Sequence, residues 1–295
     1  MTCYHPLLAY KSEGKVVFNK PFAFAKGFNI PCGQCIGCRL NYSRQWAIRI
    51  VHEAQMHEEN CFITLTFDQA NLESRTNPLS LDVSEYQRFM KRLRKRFGQN
   101  IRFFHCGEYG DQNKRPHYHA IIFGMDFKDK VLFTQRDGTK LYTSKVLSEL
   151  WPYGFSTIGE VTFQSAAYVA RYIMKKHKGE GAEDHYTRWC PSTGEGTPVD
   201  PEYCTMSRKP GIGKTWLEKY KTDVYPHDYI VINGHKVKPP RYYDSLLLEE
   251  ELAHLKAKRA EDAPETIDAY GEAMDRLWVS QEIKIKKLER LIRNL

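Results

Sequence analysis

Two histidines stand one residue apart in "RPHYHAIIFG", Arg115 to Gly124, at the mouth of an apolar run. Side chains i and i+2 of a β-strand share a face, so His117 and His119 present neighbouring imidazoles while Tyr118 faces the other way. Such a pair suits a divalent metal; it also occurs as two satisfied histidines on a half-exposed strand. The preceding segment "IRFFHCGEY" carries Glu108 near its end, and the turn-rich "GDQNKRP" joins the two segments. A hairpin over both brings the carboxylate beside the imidazoles. Two imidazoles and a carboxylate leave coordination positions open for water and a phosphate oxygen.

Further on, "AAYVARYIMKK" sets Tyr168 and Tyr172 at i and i+4, with Lys175 and Lys176 on the next turn. On a helix the two hydroxyls share a face. A phenol of pKa about 10 is a poor nucleophile at neutral pH. It can attack a phosphodiester when the phosphate is polarised and cations hold the developing charge. The lysines are placed for the second task, and a metal opposite the helix for the first.

The elements that would position these groups are legible. "YSRQWAIRIVHEAQMHEE" (42–59) has a helical apolar stripe at Trp46, Ile50, Val51 and Ala54, with Ser43 as a candidate cap. "CFITLTF" (61–67) is a β-branched and aromatic strand. "LDVSEYQRFMKRLRKRF" (81–97) is helical, 101–109 and 117–123 form a hairpin, 144–151 is a short helix, 154–163 a strand and 165–177 a helix. The order from residue 61 is β-α-β-β-α-β plus one helix. That predicts an α+β, ferredoxin-like (RRM-like) antiparallel sheet with helices on one face. The chain divides into a Cys-rich segment 1–41, a core 42–178, a loop-rich basic extension 179–243 and a helical region 244–295.

A hydrophobic share of 41% is that of a globular chain, and aromatics at 13% exceed what a core alone needs. The net charge of +8 favours a polyanionic partner. Its densest cationic surface is the outer face of 81–97, with Arg88, Lys91, Arg92, Arg94, Lys95 and Arg96; Arg115, Arg208 and Lys209 add cations in loops. These nine are the expected DNA contacts. No apolar run is long enough to span a membrane, and no signal peptide is expected. Eight cysteines without one point to a reducing, cytoplasm-like compartment.

"CGQCIGC" places Cys32, Cys35 and Cys38 at C-x2-C-x2-C spacing. Structural zinc takes four ligands, and Cys3 is the best fourth, with His5 behind it. An iron–sulfur cluster and free thiols are the alternatives. "KPGIGKTW" is not a P-loop, because Arg208 stands where the pattern needs glycine. It reads as a basic loop, so neither a nucleotide cofactor nor an ATPase is expected, and strand separation falls to a host helicase.

At "FITLTF", "GEYGDQNKRPHYHAIIFG" and "YVARYIMKK" the chain resembles the HUH endonucleases, which initiate rolling-circle replication. "CYHPLLAY", "PCGQCIGCRLNYSRQWAIR" and "MSRKPGIGK" resemble the replication initiators of gokushovirus-type Microviridae phages, over nearly the whole chain. The resemblance implies a protein of the host cytoplasm that nicks origin duplex DNA and acts on single-stranded DNA. It implies Mg²⁺ or Mn²⁺ on Glu108, His117 and His119, with Tyr168 and Tyr172 as alternating nucleophiles. The expected products are a 5′-phosphotyrosyl link and a free 3′-OH for the host DNA polymerase, followed by rejoining of the displaced strand. A zinc-containing DNA-binding regulator, a water-using metal hydrolase and a relaxase- or transposase-type nuclease are the rival readings.

Overall fold

The computed structural model describes residues 3–110, 113–136, 138–171, 181–190, 192–262 and 272–289. The chain forms two compact units, one of Gln45–Asp244 and one of Met1–Arg44 with Ser245–Leu295. In the second, β1 (Leu7–Ser12), β2 (Lys15–Val17) and β3 (Gly27–Ile30) make an antiparallel sheet of order β2-β1-β3. Helix α1 (Ile36–Ala54) follows and enters the larger unit at Gln45. It begins six residues before the expected start at Tyr42. The Cys35 carbonyl already accepts the Arg39 N–H at 3.0 Å, so the cysteine loop starts the helix. Ser43 is therefore a buried residue of the helix interior and not its cap. The helix stops at Ala54, whose carbonyl takes the Asn60 side-chain amide at 3.0 Å.

The larger unit runs β4 (Asn60–Thr66), α2 (Gln69–Glu73), α3 (Val83–Phe97), β5 (Arg102–Tyr109), β6 (Pro116–Phe123), β7 (Val131–Arg136), β8 (Thr139–Thr143), α4 (Lys145–Leu150), β9 (Ser156–Gly159) and α5 (Phe163–Arg171). Asp68, Asp82 and Ser144 cap the three helices between β4 and β9, each accepting a first-turn N–H. Beyond lie α6 (Ala182–His185), β10 (Thr187–Trp189), β11 (Gly196–Pro198), β12 (Tyr203–Met206), α7 (Lys214–Val224), β13 (Ile230–Ile232), β14 (His235–Val237) and α8 (Arg241–Asp244). Helices α9 (Glu249–Glu261) and α10 (Glu272–Glu289) close the chain in the smaller unit. The main sheet is seven-stranded, in the order β12-β5-β6-β4-β9-β8-β7, and all its pairings are antiparallel. The α+β antiparallel sheet is the expected one, with two additions. Hairpin β7–β8 extends one edge, and β12, from the segment read as loop-rich, pairs with β5 at the other.

Alternation along the strands sorts the core into two layers. Cys61, Ile63, Leu65, Tyr118, Ala120 and Ile122 lie with Tyr86, Phe89, Met90 and Leu93 of α3 and with Leu147 and Leu150 of α4. Phe62, Phe104, Cys106, Ile121 and Phe123 lie with Ala47 and Ile50 of α1 and Ala166, Val169 and Ala170 of α5. The two helices of the β-α-β-β-α-β unit share one face, as expected, and α1 and α5 cover the other. A third cluster joins Ile48, Leu217, Val224, Ile230 and Tyr243. Beside it the His52 ring stacks on Trp216 at 3.5 Å and shares a 2.9 Å hydrogen bond with the Tyr243 hydroxyl. No described helix is long and apolar enough to cross a membrane.

Candidate metal centre and nucleophile

Strand register builds the centre. Glu108 of β5 lies directly opposite His117 of β6, and Cys106 opposite His119. On its other side His119 pairs with Thr64 of β4. Residues 104, 106 and 108 of β5 share a face with 117, 119, 121 and 123 of β6, the face that α5 covers. Glu108 Oε1 sits 2.8 Å from both His117 Nε2 and His119 Nε2. The far side of each ring is anchored: His117 Nδ1 lies 3.1 Å from the Arg115 carbonyl, and His119 Nδ1 lies 2.9 Å from Thr64 Oγ1. Nδ1–H donation to those oxygens leaves both Nε2 lone pairs facing Glu108, the tautomer a metal ligand needs. Burial pushes the Glu108 carboxyl up, but the imidazoles of His117 and His119 outweigh it and hold it at about 2. The three donor atoms lie within 4.8 Å of one another. One carboxylate and two Nε2 atoms fit a divalent cation with sites left open.

Helix α5 brings in the phenol. The Tyr168 hydroxyl donates to Glu108 Oε1 at 3.3 Å, and its ring meets the His119 ring edge-on at 5.1 Å. Phe62 stacks on His119 at 5.7 Å. Val169 and Ala170 of the same helix are fully buried, which fixes the rotation that turns Tyr168 toward the sheet. Tyr172, Lys175 and Lys176 lie outside the described residues.

The family model for replication-associated proteins of the ORF2 type matches residues 60–177, the span that holds this centre. Replication-associated protein VP4 of Bdellovibrio phage phiMH2K is 36% identical over 82% of this chain and 76% of its own length. Replication-associated protein ORF2 of Spiroplasma virus 4 is 33% identical over 81% of this chain and 75% of its own. The chain belongs to the phage replication-associated protein family. A third relative, replication-associated protein ORF4 of Chlamydia phage 1, is 31% identical over 75% of this chain and 54% of its own length. No solved structure matches.

This replication-associated protein carries a second cluster of ligand atoms, in its smaller unit. The sulfurs of Cys3, Cys32, Cys35 and Cys38 all lie within 4.8 Å of one another, and none is in a disulfide. Cys3 Sγ is 3.6 Å from Cys32 Sγ and 3.9 Å from Cys35 Sγ. A tetrahedral ion with ligands at ~2.3 Å separates its sulfurs by about 3.8 Å. A disulfide would need about 2 Å. Backbone N–H groups of Tyr4, Cys32 and Cys35 each donate to one of these sulfurs at 3.3 Å, the arrangement that favours thiolates. Burial raises the Cys35 thiol, and the Tyr4 and Cys38 N–H groups overcome it to bring it to about 6. Cys38 is pushed up to about 12 by burial and by neighbouring thiols. Without a cation the cluster favours one thiolate and opposes its neighbours.

The expected DNA contacts separate on inspection. Arg88, Lys91, Lys95 and Arg96 are exposed on α3, Arg96 in an ion pair with Glu149 at 2.7 Å. Arg92 donates to the Leu150 carbonyl at 2.9 Å and Arg94 to that of Ile101 at 3.0 Å, so both tie the helix to its surroundings. Helix α3 covers the face of the sheet opposite the Glu-His-His group. The Arg115 side chain reaches the Phe67 carbonyl at 3.0 Å. Arg208 and Lys209 are exposed after β12. The glycine loop that follows is already occupied: the Gly213 N–H donates to Glu53 Oε2 at 2.6 Å, where a phosphate-binding loop would present it to ligand.

Thr64 and Arg171 carry functions that residue type alone did not reveal. Thr64 orients His119. The Arg171 guanidinium lies 6.0 Å from the Tyr168 ring centroid, and its i+3 spacing from the tyrosine was the available signal.

Proposed function

We propose that the protein initiates rolling-circle replication by nicking one strand of its origin with a tyrosine. The observation that carries this reading is the Tyr168 hydroxyl at 3.3 Å from the carboxylate oxygen that both histidines address. Glu108, His117 and His119 would hold Mg²⁺ or Mn²⁺, which supplies polarisation of the scissile phosphate. Tyr168 is held with its oxygen at the edge of that group and supplies the nucleophile. Its oxygen forms a bond to phosphorus as the bond from phosphorus to O3′ breaks. The phenolic proton is lost, and the departing O3′ takes one up to become the free 3′-OH. Arg171, with Lys175 and Lys176, supplies positive charge to the phosphate. The 5′-phosphotyrosyl link keeps the energy of the cleaved bond, so attack by a 3′-OH can later rejoin the displaced strand. Tyr172, one turn on, serves the second cut.

The four cysteines hold a structural Zn²⁺ in this reading. The partners are single-stranded and origin duplex DNA, contacted through the exposed cations of α3 and the loop at Arg208 and Lys209. A host helicase and a host DNA polymerase act with it in the host cytoplasm. The test is cleavage of a labelled single-stranded origin oligonucleotide. EDTA should stop it, Mn²⁺ or Mg²⁺ should restore it, and His117→Ala should lose it while the melting curve stays cooperative. Full cleavage in a chelated sample would overturn the reading.

A further inference from the structure

The stretch "KSEGKVVFNKPFAFAKGF", Lys11 to Phe28, carries four phenylalanines, four lysines and one glutamate. Only Phe28 is partly covered, opposite Ala9 in the β1–β3 pairing. Phe18 and Phe22 are each 60% exposed and Phe24 is 93% exposed, and Lys11, Lys15, Lys20 and Lys26 are all exposed too. The segment between β2 and β3 is a turn in which the Ala25 N–H donates to the Phe22 carbonyl at 3.1 Å. Burying one phenylalanine stabilises by about 1.5–3 kcal/mol. A chain that leaves three such rings in water within seven residues gives up a large part of its available core, which calls for an occupant.

The composition selects among occupants. A protein interface core is depleted of lysine. A duplex keeps its base faces stacked and offers none to a ring. An unpaired strand presents phosphates to the lysines and π-faces to the phenylalanines along the same contour. We infer that residues 11–28 form an aromatic–basic arm that binds single-stranded DNA without sequence preference, by base stacking on Phe18, Phe22 and Phe24. The inference rests on the proposed role in handling a displaced strand and names the surface that holds it. It also assigns a purpose to the cysteine cluster. Cys3 stands just before β1 and Cys32 just after β3, so an ion on the four sulfurs closes the base of the arm and fixes the two ends from which it projects.

Anisotropy of a fluorescent (dT)20 with the full chain is the measurement, because this ligand has no origin to cut. Phe22→Ala/Phe24→Ala should weaken binding about tenfold or more. Phe22→Tyr/Phe24→Tyr should stay within about threefold of the parent, while Phe22→Leu/Phe24→Leu, which keeps apolar bulk without a ring, should match the alanine variant. Lys20→Ala/Lys26→Ala should lower the slope of log K against log salt by about 1.4, the loss of two single-strand phosphate contacts. Metal content and far-UV circular dichroism of each variant report that the smaller unit is intact. Unchanged affinity in the alanine variant overturns the inference. So does a leucine variant that binds as tightly as the tyrosine one, or an alanine variant that loses only binding to anionic lipid vesicles. Wild-type protein that binds (dT)20 through the arm yet never cleaves an origin oligonucleotide would refute the nicking reading and leave the arm standing.

Discussion

Thr64 decides how His119 faces its neighbours, though it touches neither substrate nor metal. Its hydroxyl is the 2.9 Å partner of Nδ1, and without it the ring is free to rotate or to take the other tautomer. Thr64→Val keeps the branched shape and removes the oxygen. Mn²⁺ affinity, read by calorimetry, should fall about 10–100-fold with little change in melting temperature; an unaltered affinity would show that packing alone positions the ring. His52 tests burial in the same way. Desolvation lowers its pKa from 6.5 to about 3 in the folded protein. As pH falls below 6.5 the unfolded chain takes up a proton that the folded chain refuses, so stability is present above 6.5 and is lost toward 3. Between pH 7 and pH 5 the loss from this group is about 2 kcal/mol. Urea unfolding of His52→Gln should show a correspondingly smaller drop over that interval; an equal drop would mean that other groups carry it.

At the scale of elements, the sequence located the centre because β-strand alternation is a local rule. The i, i+2 spacing of His117 and His119, and the hairpin that returns Glu108 beside them, need nothing from the rest of the chain. What stayed illegible depends on distant partners. Strand β12 is four residues long and gains its place only by pairing with β5, about a hundred residues earlier. Helix α1 starts at Ile36 because the cysteine loop supplies its first carbonyl, and no helix-start residue stands there to signal it. Hairpin β7–β8 did have a signal in the Asp137–Gly138 dipeptide flanked by alternating residues. Gly154, in the turn before β9, shows how tightly these elements meet. At φ +154° a methyl group there would lie 2.3 Å from the Asp68 nitrogen and 2.6 Å from the Thr66 oxygen, both backbone atoms. Gly154→Ala should destabilise the fold by about 3 kcal/mol or more in chemical denaturation. A loss under about 1 kcal/mol would mean that the turn relaxes freely.

For the molecule as a whole, two clusters of ligand atoms sit in two separate units and carry different chemistry. The Glu-His-His group is an open set of borderline and hard donors. The four sulfurs form a closed set with tetrahedral spacing. Purified protein should therefore retain about one zinc per chain through mild EDTA treatment that abolishes nicking, with elemental analysis as the readout. Protein without zinc or iron would return the cysteines to free thiols. The direct test of the central claim, that tyrosine is the nucleophile, is a covalent adduct. Wild-type protein, a single-stranded origin oligonucleotide and Mn²⁺ should give an SDS-resistant band whose DNA maps by peptide analysis to Tyr168 or Tyr172. Tyr168→Phe/Tyr172→Phe should bind the same oligonucleotide and give no band, whereas an adduct on any other residue, or undiminished cleavage by the double variant, would contradict the account.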